Sequence, residues 1–79
     1  MDQDEQAQKI ILEEQLKWTK EQVRILDEMD SKLHEMKKIA EYAREHKLSE
    51  IEIERLNGEL NVLKNEYSSL EKQYNPVLH

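Results

Sequence analysis

A chain of 79 residues with 38% charged and 37% hydrophobic residues, one Gly and one Pro is one domain at most, and it is too small to wall off a closed enzyme pocket. Its formal charge of −6 divides as −4 over residues 1–15, +1 over 16–47 and −3 over 48–79, with no basic stripe. That excludes non-specific nucleic-acid binding, which needs clustered Lys and Arg, and the Lys37-Lys38 pair is too short to serve.

With no cysteine there is no disulfide framework and no Cys-based zinc site. No apolar run reaches membrane-spanning length, and the acidic start has no signal-peptide pattern. The expectation is a cytoplasmic protein with no membrane or nucleic-acid partner.

Residues 1–6 are polar and acidic and are expected to fray. A first helix is predicted over about 7–46, roughly 60 Å at the helical rise. Its weak point lies near Asp30-Ser31, because Val23, Leu26 and Met29 step 3 and 3 instead of 3 and 4, a slip that overwinds a coiled coil. A continuous, gently bent helix is expected there. Arg44, His46 and Lys47 place positive or titratable groups at its end, where the helix dipole is negative.

A turn at 47–48 leads to a second helix over about 49–74. Ser49 followed three residues later by Glu52 is a capping box, and Leu48 with Ile53 has the spacing of a hydrophobic staple. Asn75-Pro76 ends the helix, since a residue before proline is pushed out of the helical region. Val77, Leu78 and His79 form a short apolar tail. Asn57-Gly58, flanked by Ile51, Ile53, Leu60 and Val62, also fits a β-hairpin turn. The heptad passes unbroken through the dipeptide, and Gly58 falls on the outer face at a cost of only about 1 kcal/mol, so helix is the reading adopted.

The two helices are related by a mirror at Leu48. Ala43 pairs with Ile53, Ala40 with Leu56, Met36 with Leu60, Leu33 with Leu63, Met29 with Tyr67 and Leu26 with Leu70. Each series steps 3, 4, 3, 4, the heptad that lets two helices interlock. The fold class is therefore all-α, an antiparallel two-helix coiled-coil hairpin. Two helices bury little apolar area, so completion by dimerisation into a helical bundle is expected.

Continuing the mirror pairs Thr19 with Val77, leaving residues before about Trp18 as an overhang that carries Ile10, Ile11, Leu12, Leu16 and Trp18. A second stripe of Ile11, Trp18, Ile25 and Ile39, interrupted by Lys32, widens the apolar face beyond what one partner helix covers. Burying a large side chain is worth about 1.5–3 kcal/mol, so several of them drive association. The candidate interface is Ile11, Leu12, Leu16, Trp18, Ile25 and Ile39, taken up by a second copy, by a protein partner, or by both.

Chemistry is thin. His34, His46 and His79 have no metal-ligand spacing, and Asp30 with His34 reads as a surface pair. Carboxylates lie on solvated faces in pairs such as Glu28 with Lys32 and Glu13 with Lys17, and no dry pocket is built for acid-base catalysis. No Gly-rich phosphate loop and no Ser-His-Asp set is brought together. No catalytic, cofactor-binding or metal residue is assigned.

Leu48 in the loop is followed, nine residues later, by Asn57-Gly58-Glu59-Leu60-Asn61; Leu56 precedes the motif, and Leu63 and Tyr67 follow it. In this arrangement residues 33–67, under half of the chain, resemble the small two-helix aspartyl-phosphate phosphatases that act on response regulators in sporulating bacteria. The family motif reads Ser-Gln-Glu-Leu-Asp, so Asn57 replaces its serine and Asn61 its aspartate. The resemblance implies that position 61 would place the water attacking a phospho-aspartate; a carboxamide can orient water, as glutamines do in GTPases.

The sequence thus points to a small non-catalytic protein-interaction or regulatory module. One alternative is a phosphatase-like hairpin that acts on, or competes for, a phosphorylated response regulator, with Asn57 and Asn61 as its site. A second is a structural coiled-coil subunit of a larger assembly.

Overall fold

The computed structural model describes residues 2–76, a rod of 71 × 18 × 14 Å built from two antiparallel helices. Helix α1 spans Asp2–Glu45 without a break, passing through Asp30-Ser31 and starting ahead of the expected boundary near residue 7. Asp2, Asp4 and Glu5 account for the early start, since three carboxylates in the first turn favour the positive end of the dipole. Helix α2 spans Glu50–Gln73, and Gly58 lies in its interior with the Asn57-Gly58 pair helical. The described residues contain no strand. The expected tail and the pairing of Thr19 with Val77 fall on residues 77–79, outside the described ones.

The turn is set by caps on both sides. At the end of α1 the His46 N–H donates to Tyr42 O at 3.1 Å, and its Nδ1 lies 2.9 Å from the same carbonyl. The imidazole stacks on the Tyr42 ring with centroids 4.0 Å apart. Ser49 is extended, at φ −77° and ψ 165°, and its Oγ accepts the Glu52 N–H at 3.2 Å, the predicted cap. At the far end, the Tyr74 N–H donates to Leu70 O at 3.0 Å, and Tyr74 leaves the helix at ψ 124° ahead of Asn75-Pro76.

The seam keeps most of the predicted half on α2: Leu56, Leu63 and Leu70 are buried, with Leu60 and Tyr67 half-buried between them, while Ile53, next to the turn, is 43% exposed. On α1 Met29 and Met36 keep their expected places, while Leu26, Leu33 and Ala40 give way to Ile25, Lys32 and Ile39, each one residue earlier. Ile25 (2% exposed), Met29 and Gln22 are buried, and Trp18, Lys32, Met36 and Ile39 are half-buried. The expected seam residues Leu26 and Leu33 are instead 42% and 47% exposed, and Ala40 and Ala43 are exposed.

The reason is phase. The line Trp18, Gln22, Ile25, Met29, Lys32, Met36 and Ile39 steps 4 and 3 throughout, whereas the run Val23, Leu26, Met29 slips, so Val23 and Leu26 fall on a neighbouring line one residue over. A straight contact between two helices follows the unbroken repeat and accepts two polar residues to do so.

Both polar residues find partners across the hairpin, one on α2 and one just beyond it. The Asn75 N–H donates to Gln22 Oε1 at 2.6 Å, tying the chain beyond α2 to α1. Lys32 Nζ lies 2.6 Å from Glu66, displacing the expected Lys32–Glu28 pair, and the bond to Glu66 raises the Lys32 pKa above its ordinary value. Glu28 instead joins Glu21 around Arg24, at 2.5 and 2.6 Å. Hydrogen bonding to Glu21 raises the Arg24 pKa, and the same bond lowers that of Glu21. Glu13 lies 4.0 Å from Lys9, in place of the expected pairing with Lys17. The packed core gathers at the open end of the hairpin, where Ile25, Met29 and Leu70 meet Tyr67 and Tyr74.

Candidate functional site

The one-residue rotation of the seam leaves a second apolar line on α1. Leu12, Leu16, Val23, Leu26 and Leu33 are 64%, 55%, 50%, 42% and 47% exposed. With Thr19 and Asp30 filling the gaps, these positions step 4, 3, 4, 3, 4, 3, each one residue after a seam position. They form a straight flank about 100° around the helix from the contact with α2, roughly 30 Å long. Along its outer edge runs a line of alternating character, Glu13, Lys20, Asp27 and His34, all exposed. His34 Nε2 lies 3.9 Å from Asp30, a surface contact.

The six residues expected to form the interface divide between the two lines. Leu12 and Leu16 lie on the flank. Ile11, 52% exposed, and the half-buried Trp18 lie on the seam line, Ile11 in the part of it ahead of α2. Ile25 is removed from the interface: at 2% exposure it is the most buried apolar residue of the core, because the unbroken heptad runs through it. Ile39 is likewise a half-buried seam residue lining the interhelical grooves. Val23, Leu26 and Leu33 take the places of Ile25 and Ile39 on the open face. The slip at Val23, Leu26 and Met29 was the signal for this division, since a slip in one line marks the crossing between two.

On α2, Asn57 and Asn61 are both exposed and stand one helical turn apart. Asn57 lines a recess of about 290 Å³ near the turn together with Ala40, Ala43, Leu48 and Ile53, so it shares a side of the hairpin with the flank of α1. On the opposite side Ile39, Val62 and Leu63 floor an open groove of about 740 Å³ edged by Glu35, Lys38 and Glu59. Gly58 borders that groove, and a Cβ built on it meets nothing within 4 Å.

Among the described residues no cluster of His, Cys, Asp or Glu is placed to hold a metal ion, and no buried side-chain polar atom lacks a hydrogen bond. No described helix is long and apolar enough to cross a membrane. What the arrangement offers is a hydrophobic strip with charged margins, suited to accepting another helix lengthwise. No protein-family model, curated protein or solved structure matches this chain.

Proposed function

We propose that this chain is a small cytoplasmic protein-interaction module without catalysis of its own, which docks other helices, including those of its own kind, along the flank of α1. The observation that carries this reading is the heptad-spaced line Leu12, Leu16, Val23, Leu26 and Leu33, each at least 42% exposed. Scattered apolar residues on a surface are ordinary, whereas five in one straight strip mark a contact site. The hairpin contact already occupies the neighbouring face, so the strip needs a further helix.

Leu33→Glu tests it. Sedimentation equilibrium should show wild type as the larger species and the variant as a monomer, with circular dichroism unchanged, because a carboxylate on the strip remains solvated in the single chain and must be desolvated on docking. A variant that loses its helical signal together with association would place Leu33 in the core and overturn the reading.

A second reading, a hairpin acting on a phosphorylated response regulator, is favoured by one observation: Asn57 and Asn61 are open to solvent on adjacent turns. The non-catalytic reading expects no acceleration of phosphate loss from a response regulator. Acceleration by wild type that Asn61→Ala abolishes would make the chain an enzyme.

A further inference from the structure

We propose that the flank of α1 takes a second copy of this chain, α1 against α1 and antiparallel, about a twofold axis between Arg24 and Ile25. The inference rests on the flank being a docking face, and it adds the occupant, its direction and its register. Turned end for end about that axis, Leu16 meets the partner's Leu33, Val23 meets the partner's Leu26, and Thr19 meets the partner's Asp30. Leucines and valine therefore face one another, and the two polar residues inside the strip are set against each other. From Leu16 to Leu33 the strip is its own complement, as a twofold interface requires, and Leu12 lies level with the partner's Lys37.

Charge selects the direction. The line along the edge of the strip reads Glu13, Lys20, Asp27, His34. The antiparallel register brings Lys20 beside the partner's Asp27, twice by symmetry, and Glu13 beside the partner's His34. A parallel pair would carry the two copies of this line to opposite edges of the interface, losing the pairing of Lys20 with the partner's Asp27, and would bury Asp30 against the partner's Asp30. Opposed like charges of this kind are what steers helices away from a pairing.

The hairpin's uneven arms agree with this. Asn75 is bonded to Gln22, so α2 ends level with that residue and leaves Ile10, Ile11, Leu12 and Leu16 without a helix of their own chain beside them. The antiparallel twofold runs the partner's α2 alongside this bare stretch. A parallel pair would leave both bare stretches together with neither α2 near them.

Because the chain has no cysteine, engineered ones report the register directly. A chain carrying both Leu16→Cys and Leu33→Cys should oxidise to a covalent dimer on a non-reducing gel. Either substitution alone should not, since in this register each residue lies about 25 Å along the helix from its own copy, far beyond disulfide reach. Dimers formed by the single variants would mean a parallel pair and overturn the proposal.

Charge exchange checks the register without touching the strip. Lys20→Asp and Asp27→Lys should each weaken dimerisation roughly 3- to 10-fold, and the two together should restore it. Failure of the restoration contradicts the register. If the doubly substituted cysteine chain stays uncrosslinked while Leu33→Glu still dissociates a wild-type dimer, the docking face stands and this geometry falls. If Leu33→Glu leaves a wild-type dimer intact, the docking face itself is wrong. A wild-type monomer at high micromolar concentration excludes the second copy as occupant.

Discussion

Two lines of side chains run down α1 one residue apart, both largely apolar and each interrupted by two polar residues, and only one of them holds the hairpin together. The seam carries Gln22 and Lys32 among its apolar residues, whereas Leu12, Leu16, Val23, Leu26 and Leu33 stay on the flank. A polar residue in the line of a helix pair is tolerated when it finds a partner across it. Gln22 accepts the Asn75 N–H, and Lys32 reaches Glu66 at the margin of the seam. The apolar surplus left on the flank is then free for another molecule.

The largest test of this contrast is on α2, where Leu63 is buried and its neighbour Val62 is 57% exposed. Leu63→Ala should cost about 2–5 kcal/mol in urea denaturation. Val62→Ala should change little, and equal losses at both positions would remove the distinction between seam and surface.

Gln22→Ala should cost about 1–3 kcal/mol, because it leaves the Asn75 N–H without this acceptor and opens a gap beside Ile25. Amide exchange should quicken at residues 70–75 and hardly near the turn. If protection there is unchanged, Gln22 is a bystander in the seam.

Gly58→Ala should stabilise the chain by about 1 kcal/mol, since nothing lies within 4 Å of the added Cβ and alanine is the better helix former. Destabilisation would instead support a turn at Asn57-Gly58.

The smallest effect concerns Lys32. Its pKa is raised in the folded chain by the bond to Glu66, so the stability it contributes is fully present below the unfolded-state value and is lost as pH rises through the folded one. Denaturation midpoints should therefore fall on the alkaline side, at about pH 10 and above, and Lys32→Met should flatten that fall. An unchanged slope in the variant would show that the bridge is not coupled to folding.

Much of this fold is legible in the sequence. The hairpin, the Ser49 cap, the stop at Asn75-Pro76 and the α2 half of the seam from Leu56 to Leu70 follow from heptad spacing and capping chemistry. On α1 Met29 and Met36 were legible as well, but Leu26, Leu33 and Ala40 are displaced by one residue, because an apolar reading prefers Leu33 to Lys32 and passes over Gln22. The groups that make those two polar residues acceptable, on Asn75 and Glu66, lie far along the chain and come near only on folding. The candidate face was half legible for the same reason. Leu12 and Leu16 stand out as an overhang, whereas Val23, Leu26 and Leu33 look like core until the phase of the seam is known.

The one-residue offset is tested most directly by Ile25→Ala and Leu26→Ala, each built on the monomeric Leu33→Glu chain so that association does not contribute, and compared by urea denaturation. Ile25 is 2% exposed and Leu26 42%. Ile25→Ala should cost about 2–5 kcal/mol, while Leu26→Ala should stay within about 1 kcal/mol of its parent. The reverse order would put Leu26 in the seam and Ile25 on the flank, and the account would be wrong at its centre.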